Sequence, residues 1–400
     1  MTQKNSIGNR KLIILMSLIL TIQIETFSQN TDILDKVYNS FKAEDGSLNY
    51  LQPYLIFDKK NSRIDMVNQI KYQYYSFIHK GDFDILLLSK KRVLDSLVIF
   101  ETAKMKITDI SRSKKILMFN EQHNRPYHRL YVSTFLSDLK KQGYGILALE
   151  ALKWEDNELN SRKFPISTSG TYTVEPYFAN LIRIALELGF EVLPYEDQSS
   201  PPGTIESREM AQANNLAKII NSENTKILVL AGFSHISEVP VSSHHDEISY
   251  MATRLKEQLG IDPFTIDQTE MSSDARVDKV SIPYKSNEPY ILHEFKNRYD
   301  LTLVYPNNVD YLHLELGKAL VNVKLDEKMV NKNHLIQFYV KTEYENFNDR
   351  AIPYEQFLIE SKEMKIYLNP QRTYQLVIRD CNYKVLVLRT IDQFKEIIID

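Results

Sequence analysis

Five short stretches of this 400-residue chain carry side chains able to move a proton or hold an ion. Asn120-Glu121-Gln122-His123 follows one apolar run, Glu150 ends a second, Tyr195-Glu196-Asp197 ends a third, and Gly232-Phe233-Ser234-His235 follows a fourth. Arg208-Glu209 opens an amphipathic segment and supplies a guanidinium to clamp a carboxylate or phosphate, to steady developing negative charge, or to pair with one of the carboxylates. Alone, Glu150 or Glu196 reads as a helix cap or a lysine partner, and His123 as a surface loop residue. The same placement after four successive runs favours a site. Carboxylates gathered together raise one another's pKa and raise that of a neighbouring histidine, which suits acid/base work or a divalent cation. His128, five residues after His123, either lines the same pocket or serves the first turn of a helix. The adjacent His244-His245 pair invites a metal reading, but neighbouring side chains on regular elements point apart.

The elements that must position these residues follow from hydrophobic periodicity. Ile116–Phe119, Ile146–Leu149, Glu191–Tyr195, Ile227–Ala231 and Phe264–Ile266 read as buried strands; Tyr127–Lys141, Pro176–Leu188, Glu206–Ile220 and Asp246–Leu259 read as the helices between them. Alternation of this kind predicts an α/β fold, a mainly parallel sheet with helices on both faces. In such sheets ligands bind beyond the carboxyl ends of the strands, where four of the stretches fall, and Arg208-Glu209 opens a helix near the same edge. Before the sheet, residues 31–110 show helical spacing in Ile33-Leu34-Val37-Phe41, Met66-Ile70-Tyr74-Phe77 and Leu86-Leu88-Val93-Leu97, an accessory helical layer whose aromatic residues are expected to pack rather than to touch ligand. After it, His334–Thr342, Met364–Leu368, Thr373–Arg379 and Lys384–Thr390 predict a small β-rich C-terminal domain. The expected divisions are 1–29, 30–112, 113–270 and 271–400.

Lys4, Arg10 and Lys11 precede an apolar stretch from Leu12 to Ile24, too short to span a bilayer but suited to a signal-peptide core. The expectation is export to the periplasm or beyond, with cleavage near Phe27-Ser28-Gln29-Asn30 and no stable membrane span afterwards. Lys plus Arg number 49 against 52 for Asp plus Glu, so no basic field draws the chain to nucleic acid. Cys381 is the sole cysteine, which rules out an intramolecular disulfide and is expected to be a buried structural residue. No G-x-S-x-G elbow, P-loop, H-E-x-x-H or G-x-G-x-x-G occurs, which removes most serine hydrolases and nucleotide binders.

Asn120-Glu121-Gln122-His123-Asn124-Arg125-Pro126-Tyr127-His128 resembles the G-E-x-H-D-N-x-x-H-H opening of the haem-binding uptake/Tiki superfamily, which includes ChaN-like, erythromycin esterase-like and Tiki/TraB proteins. Leu149-Glu150, Tyr195-Glu196 and Ala231-Gly232-Phe233-Ser234-His235 continue the resemblance in order. Arg208-Glu209-Met210-Ala211-Gln212-Ala213-Asn214-Asn215-Leu216 is similar to the family's R-D-x-x-M-A-x-N-I helix. Asn120, Glu209 and Gln212 stand where the family usually has glycine, aspartate and methionine.

The resemblance covers residues 114–268 and implies different chemistry in each branch. Its esterase-like branch implies His123 as base, Glu121 and Glu150 as its orienters, and Arg208 and His235 as oxyanion stabilisers. Its Tiki branch implies a divalent metal on Glu121, His123, Glu196 and His235, and its ChaN-like branch implies haem with Tyr127 or Tyr195 as axial ligand. Three functional expectations stand side by side. The first is hydrolysis of an ester or amide in a small molecule or peptide by histidine-activated water; the others are haem or iron uptake, and noncatalytic binding through a degenerate pocket. The cofactor is correspondingly none, a divalent metal or haem.

Overall fold

The computed structural model describes residues 33–58, 65–78, 94–197, 203–222, 225–243, 246–271, 273–392, 394 and 396–399. The expected targeting segment 1–29, the helical stretch through Leu86, Leu88 and Val93, and His244-His245 lie outside the described residues.

A six-stranded parallel sheet forms the centre of the α/β fold. Its strands are β1 (Ile116–Glu121), β2 (Tyr144–Leu149), β3 (Glu191–Pro194), β4 (Lys226–Gly232), β5 (Phe264–Asp267) and β6 (Leu301–Thr302), in the order β6-β5-β1-β4-β2-β3. Because β4 inserts between β1 and β2, chain connections leave in opposite directions on its two sides, which opens a crevice at the strand ends. Residues alternate along each strand between two cores, as the pleat requires. Leu117, Phe119, Leu147, Leu149, Leu228 and Leu230 join one core with Leu130 and Val132 of helix α1 (Pro126–Ser133) and Phe178, Leu181 and Ile182 of α2 (Pro176–Glu187). Ile116, Met118, Ile146, Ala148, Ile227 and Val229 join the other with Ala213 and Leu216 of α3 (Ile205–Ser222) and Met251 and Leu255 of α4 (Met251–Leu259).

Register brings the functional stretches level. Glu121 pairs with Gly232, and Leu149 pairs with both Leu230 and Pro194, so Glu121, Glu150, Tyr195 and Gly232 end their strands at one height.

Several elements differ from the sequence expectation. Tyr127–Lys141 is two helices, Pro126–Ser133 and Leu136–Lys141, and Asp246–Ile248 is a hairpin strand ahead of α4. Ile99–Thr102, within the expected helical region, is a strand paired with Ser281–Lys285, and Leu97 is exposed in a turn. A four-residue strand that borrows its partner from 180 residues away leaves no local period to read. Beyond residue 270 the chain still feeds the central sheet through β6. It then forms antiparallel pairs among Asn331–Val340, Glu355–Ile359, Tyr374–Arg379 and Val385–Ile391. A second sheet of Ala319–Leu325, Glu363–Leu368 and Glu396–Ile399 shares a core with the first through Val321, Val323, Phe338 and Leu376. Cys381 is exposed, contrary to the buried reading, because it sits in the turn between two of these strands. Among the described residues no helix is long and apolar enough to cross a membrane.

Candidate active site

A cavity of about 750 Å³ opens at the carboxyl ends of β1, β4, β2 and β3, lined by His123, Glu150, Tyr172, Glu196, Arg208 and His235 among others. Its base is built from buried charge, and every charge is tied down.

On one side, Glu121 ends β1 with none of its surface exposed. One carboxylate oxygen accepts from or shares a proton with His123 Nδ1 at 2.6 Å, and the other accepts from Arg129 Nη2 at 2.7 Å. Arg129, buried on α1, also donates to the His123 carbonyl oxygen at 3.0 Å and to Glu175 at 3.0 Å. Glu175 in turn caps α2, accepting from the Tyr177 and Phe178 N–H groups at 2.8 Å each. The imidazole of His123 is therefore held by its Nδ1 edge, with Tyr172 at 4.3 Å between ring centroids and the edge of Phe233 at 4.9 Å. Gly232 lies beneath it: a Cβ there would sit 2.7 Å from His123 Cε1 and 3.2 Å from Glu150. At φ −80° the position calls for glycine through close approach rather than through backbone freedom.

On the other side stands a second histidine–glutamate pair. His235 Nδ1 lies 2.8 Å from Glu209, whose carboxylate also accepts from the Met251 N–H at 2.8 Å, and His235 Nε2 faces Glu150 at 3.4 Å. Burial pulls the His235 pKa down, but Glu150 and Glu209 outweigh it and raise it above its ordinary value. Burial likewise opposes ionisation of Glu150; His235, Arg208, His123 and the Gly232 N–H overcome it and hold Glu150 at about 2. That N–H donates to Glu150 at 2.6 Å.

Arg208 joins two strand ends. Its Nη2 reaches Glu150 at 2.7 Å and Glu196 at 2.5 Å, its Nε donates to Glu196 at 2.9 Å, and Gln212 one turn along α3 donates to the same carboxylate. Arg208 Nη1 donates to no described residue. Phe233 holds φ at +41°, an uncommon backbone for a side chain this size, while its carbonyl accepts from Asn120 at 2.8 Å. That turn swings His235 back over the strand ends.

The structure thus brings together His123, Glu150, Glu196, Arg208 and His235, with Glu121 one layer below. It does not bring Tyr127, His128 or Tyr195 to the cavity. The Tyr195 hydroxyl is buried and donates to the Leu230 carbonyl at 3.3 Å. His128 is also buried, where Nδ1 accepts from the Gln122 N–H; burial, with Arg125 and Arg129, pushes its pKa well down. Tyr127 packs on Tyr305 and His128. None of the three is placed as an axial ligand in this cavity.

The donor set also fits a divalent cation poorly. Both Glu121 oxygens are committed, and Arg208 occupies the place between Glu150 and Glu196 that a cation would take. Among the described residues no group of three or more His, Cys, Asp or Glu side chains is disposed to hold a metal.

Sequence reasoning missed Glu209, Arg129, Glu175 and Tyr172. Glu209 was visible beside Arg208, but which histidine it would meet depends on how α3 packs beside α4 and the turn after β4. Arg129 carried a usable signal: a guanidinium on the face of α1 that otherwise packs apolar residues must find an anion.

No protein-family model matches the chain, and no curated protein does. Among solved structures it is similar to the type III effector HopBA1, at 13% identity and TM-score 0.34, over 56% of this chain and 100% of that one. It is similar to RRSP, a MARTX toxin effector domain from Vibrio vulnificus, at 17% identity and TM-score 0.31, over 59% of this chain and 49% of that one. A third is the C-terminal region of Pasteurella multocida toxin, described as having a thiol-protease-like catalytic triad, at 12% identity and TM-score 0.29, over 63% and 34%. Likeness at this level assigns no residue here.

Proposed function

We propose that this chain is a hydrolase that cleaves an ester or amide bond with water activated by His123. The observation that carries the reading is the His123–Glu121 pair at 2.6 Å, with Glu121 itself fixed by Arg129. A carboxylate on Nδ1 sets the tautomer that leaves Nε2 as the proton acceptor and steadies the imidazolium once formed. Water held by His123 gives up one proton to Nε2 as its oxygen bonds to the carbonyl carbon. The tetrahedral oxyanion is met by Arg208 Nη1, and protonated His235, whose two ring nitrogens face Glu209 and Glu150, adds positive charge beside it. Collapse breaks the bond to the leaving oxygen or nitrogen, which takes the proton from the imidazolium. The resemblance to the erythromycin esterase-like branch supports the same roles for the same residues. Export, from the N-terminal segment, belongs to this proposal as well.

The test is turnover of a panel of aryl esters and anilides. His123→Ala should lower kcat at least about a hundredfold, and Glu121→Gln should lower it in the same direction by less, with both variants folded. Undiminished kcat in His123→Ala would discard the assignment.

A further inference from the structure

A second, smaller cavity of about 210 Å³ adjoins the first, and Lys153 and Thr171 line both. Its walls come from the N-terminal helices: Phe41 from 33–41, then Ile70, Tyr74 and Phe77 from Asp65–Phe77, closed by Val174. These apolar walls enclose room for a single aromatic or branched side chain.

The rest of the lining includes residues of a different character. Ser167 is fully buried and lines the cavity, and its hydroxyl has no partner among the described residues. A buried hydroxyl left without a partner costs free energy that a ligand can recover. Lys42 Nζ, 2.7 Å from the Ser167 carbonyl, and Lys153 both line this space. Burial lowers the Lys42 pKa, and repulsion from Lys153 and Arg350 lowers it further. No described carboxylate pairs with either lysine. An anion entering between them relieves that repulsion.

We infer that the small cavity is a specificity subsite for the acylated, aromatic or branched amino-acid end of the substrate: the apolar side chain fills the 210 Å³ space and the free carboxylate meets Lys153, Lys42 and Ser167. This rests on the hydrolase reading for the bond cleaved, which lies on the N-acyl side, in the larger cavity facing His123. Water adds across that amide, giving the acyl carboxylate and the free amine. The aromatic residues of the N-terminal helices then act in recognition as well as in packing.

Binding is measured by calorimetry on the full chain carrying His123→Ala, so that turnover does not interfere. Three probes are compared: N-acetyl-L-phenylalanine, its carboxamide, and N-acetylglycine. The acid of phenylalanine should bind about tenfold more tightly than either of the others. Lys153→Met, at an exposed position, should bring it down to the level of the carboxamide while leaving the carboxamide unchanged. Ile70→Trp should fill the cavity and erase the advantage over N-acetylglycine; if that variant fails to fold, Lys153→Met decides. Equal affinities for the three probes, no binding of any, or indifference to Lys153→Met overturns the inference. Binding with this pattern but no hydrolysis of any N-acyl amino acid leaves the subsite standing and removes the hydrolase reading. Ester hydrolysis through His123 without the preference removes the subsite alone.

Discussion

At the scale of residues, the cavity holds two histidines that the fold makes unlike. His123 leans on Glu121, which also answers to Arg129, while His235 lies between two carboxylates, Glu209 and Glu150. Those two anions raise the His235 pKa in spite of burial, so its protonated form is present below that pKa and is lost as pH climbs through it. Activity should therefore fall on the alkaline side. Glu209→Gln removes one of the two anions and should shift that alkaline limb of the kcat/KM profile toward lower pH, read on the same aryl esters. A limb that stays in place would mean that the positive charge of His235 does not serve the reaction. The gathering of two histidines with the carboxylates at one edge of the sheet was legible in the residues after each apolar run. Glu209 was not, because its partner is 26 positions away and is brought to it by the packing of α3 beside the turn after β4.

At the scale of elements, the parallel strands set the site through register more than through composition. Level pairing of Glu121 with Gly232 and of Leu149 with Leu230 is what makes four separate loops into one rim. Gly232 is where that pairing touches the chemistry. Gly232→Ala should fold, since the first atom that it meets is the edge of the His123 ring rather than backbone. The ring must then move, and the expected outcome is a loss in kcat of about tenfold or more, with thermal midpoint lowered by only a few degrees. Unchanged kcat would show that the position of His123 is not critical. The longer strands of the sheet were readable as short continuous apolar runs, and the helices between them from a period of 3.6. Short pieces such as Ile99–Thr102 and Leu301–Thr302 were not, because their pairing partners, not their own sequences, make them strands.

At the scale of the molecule, the outlying elements are bound to the central sheet by buried polar contacts. Arg183 on α2 donates to Glu343 at 2.6 Å and to the Ile352 carbonyl, with both charged side chains almost fully buried. Nearby Lys318 and Glu355 form another buried pair at 2.8 Å, where burial pushes Glu355 up to about 7 despite the lysine. Gln356 donates to the Phe77 carbonyl, and Tyr50 donates to the Val174 carbonyl, tying the N-terminal helices into the same junction. Arg183→Met strands the Glu343 carboxylate and should cost about 3–5 kcal/mol in urea unfolding. A loss below about 1 kcal/mol would show that the carboxylate is relieved by water or by protonation. Because α2 also begins at Glu175, which holds Arg129, the same variant tests whether the junction supports the cavity.

Sequence alone determined the alternation of strands and helices, the rim of glutamates and histidines, and the guanidinium that would join it. Each is encoded by residues close together in the chain, through the pleat, the helical turn and the loop that follows a strand. Tertiary structure decided which histidine takes which glutamate, that Arg208 bridges Glu150 and Glu196, and that Tyr195 and His128 turn inward. It also decided that aromatic residues from the first eighty positions close a cavity beside Lys153. Those outcomes depend on contacts between segments far apart in sequence, whose partners are chosen by packing and by the need to pair every buried charge.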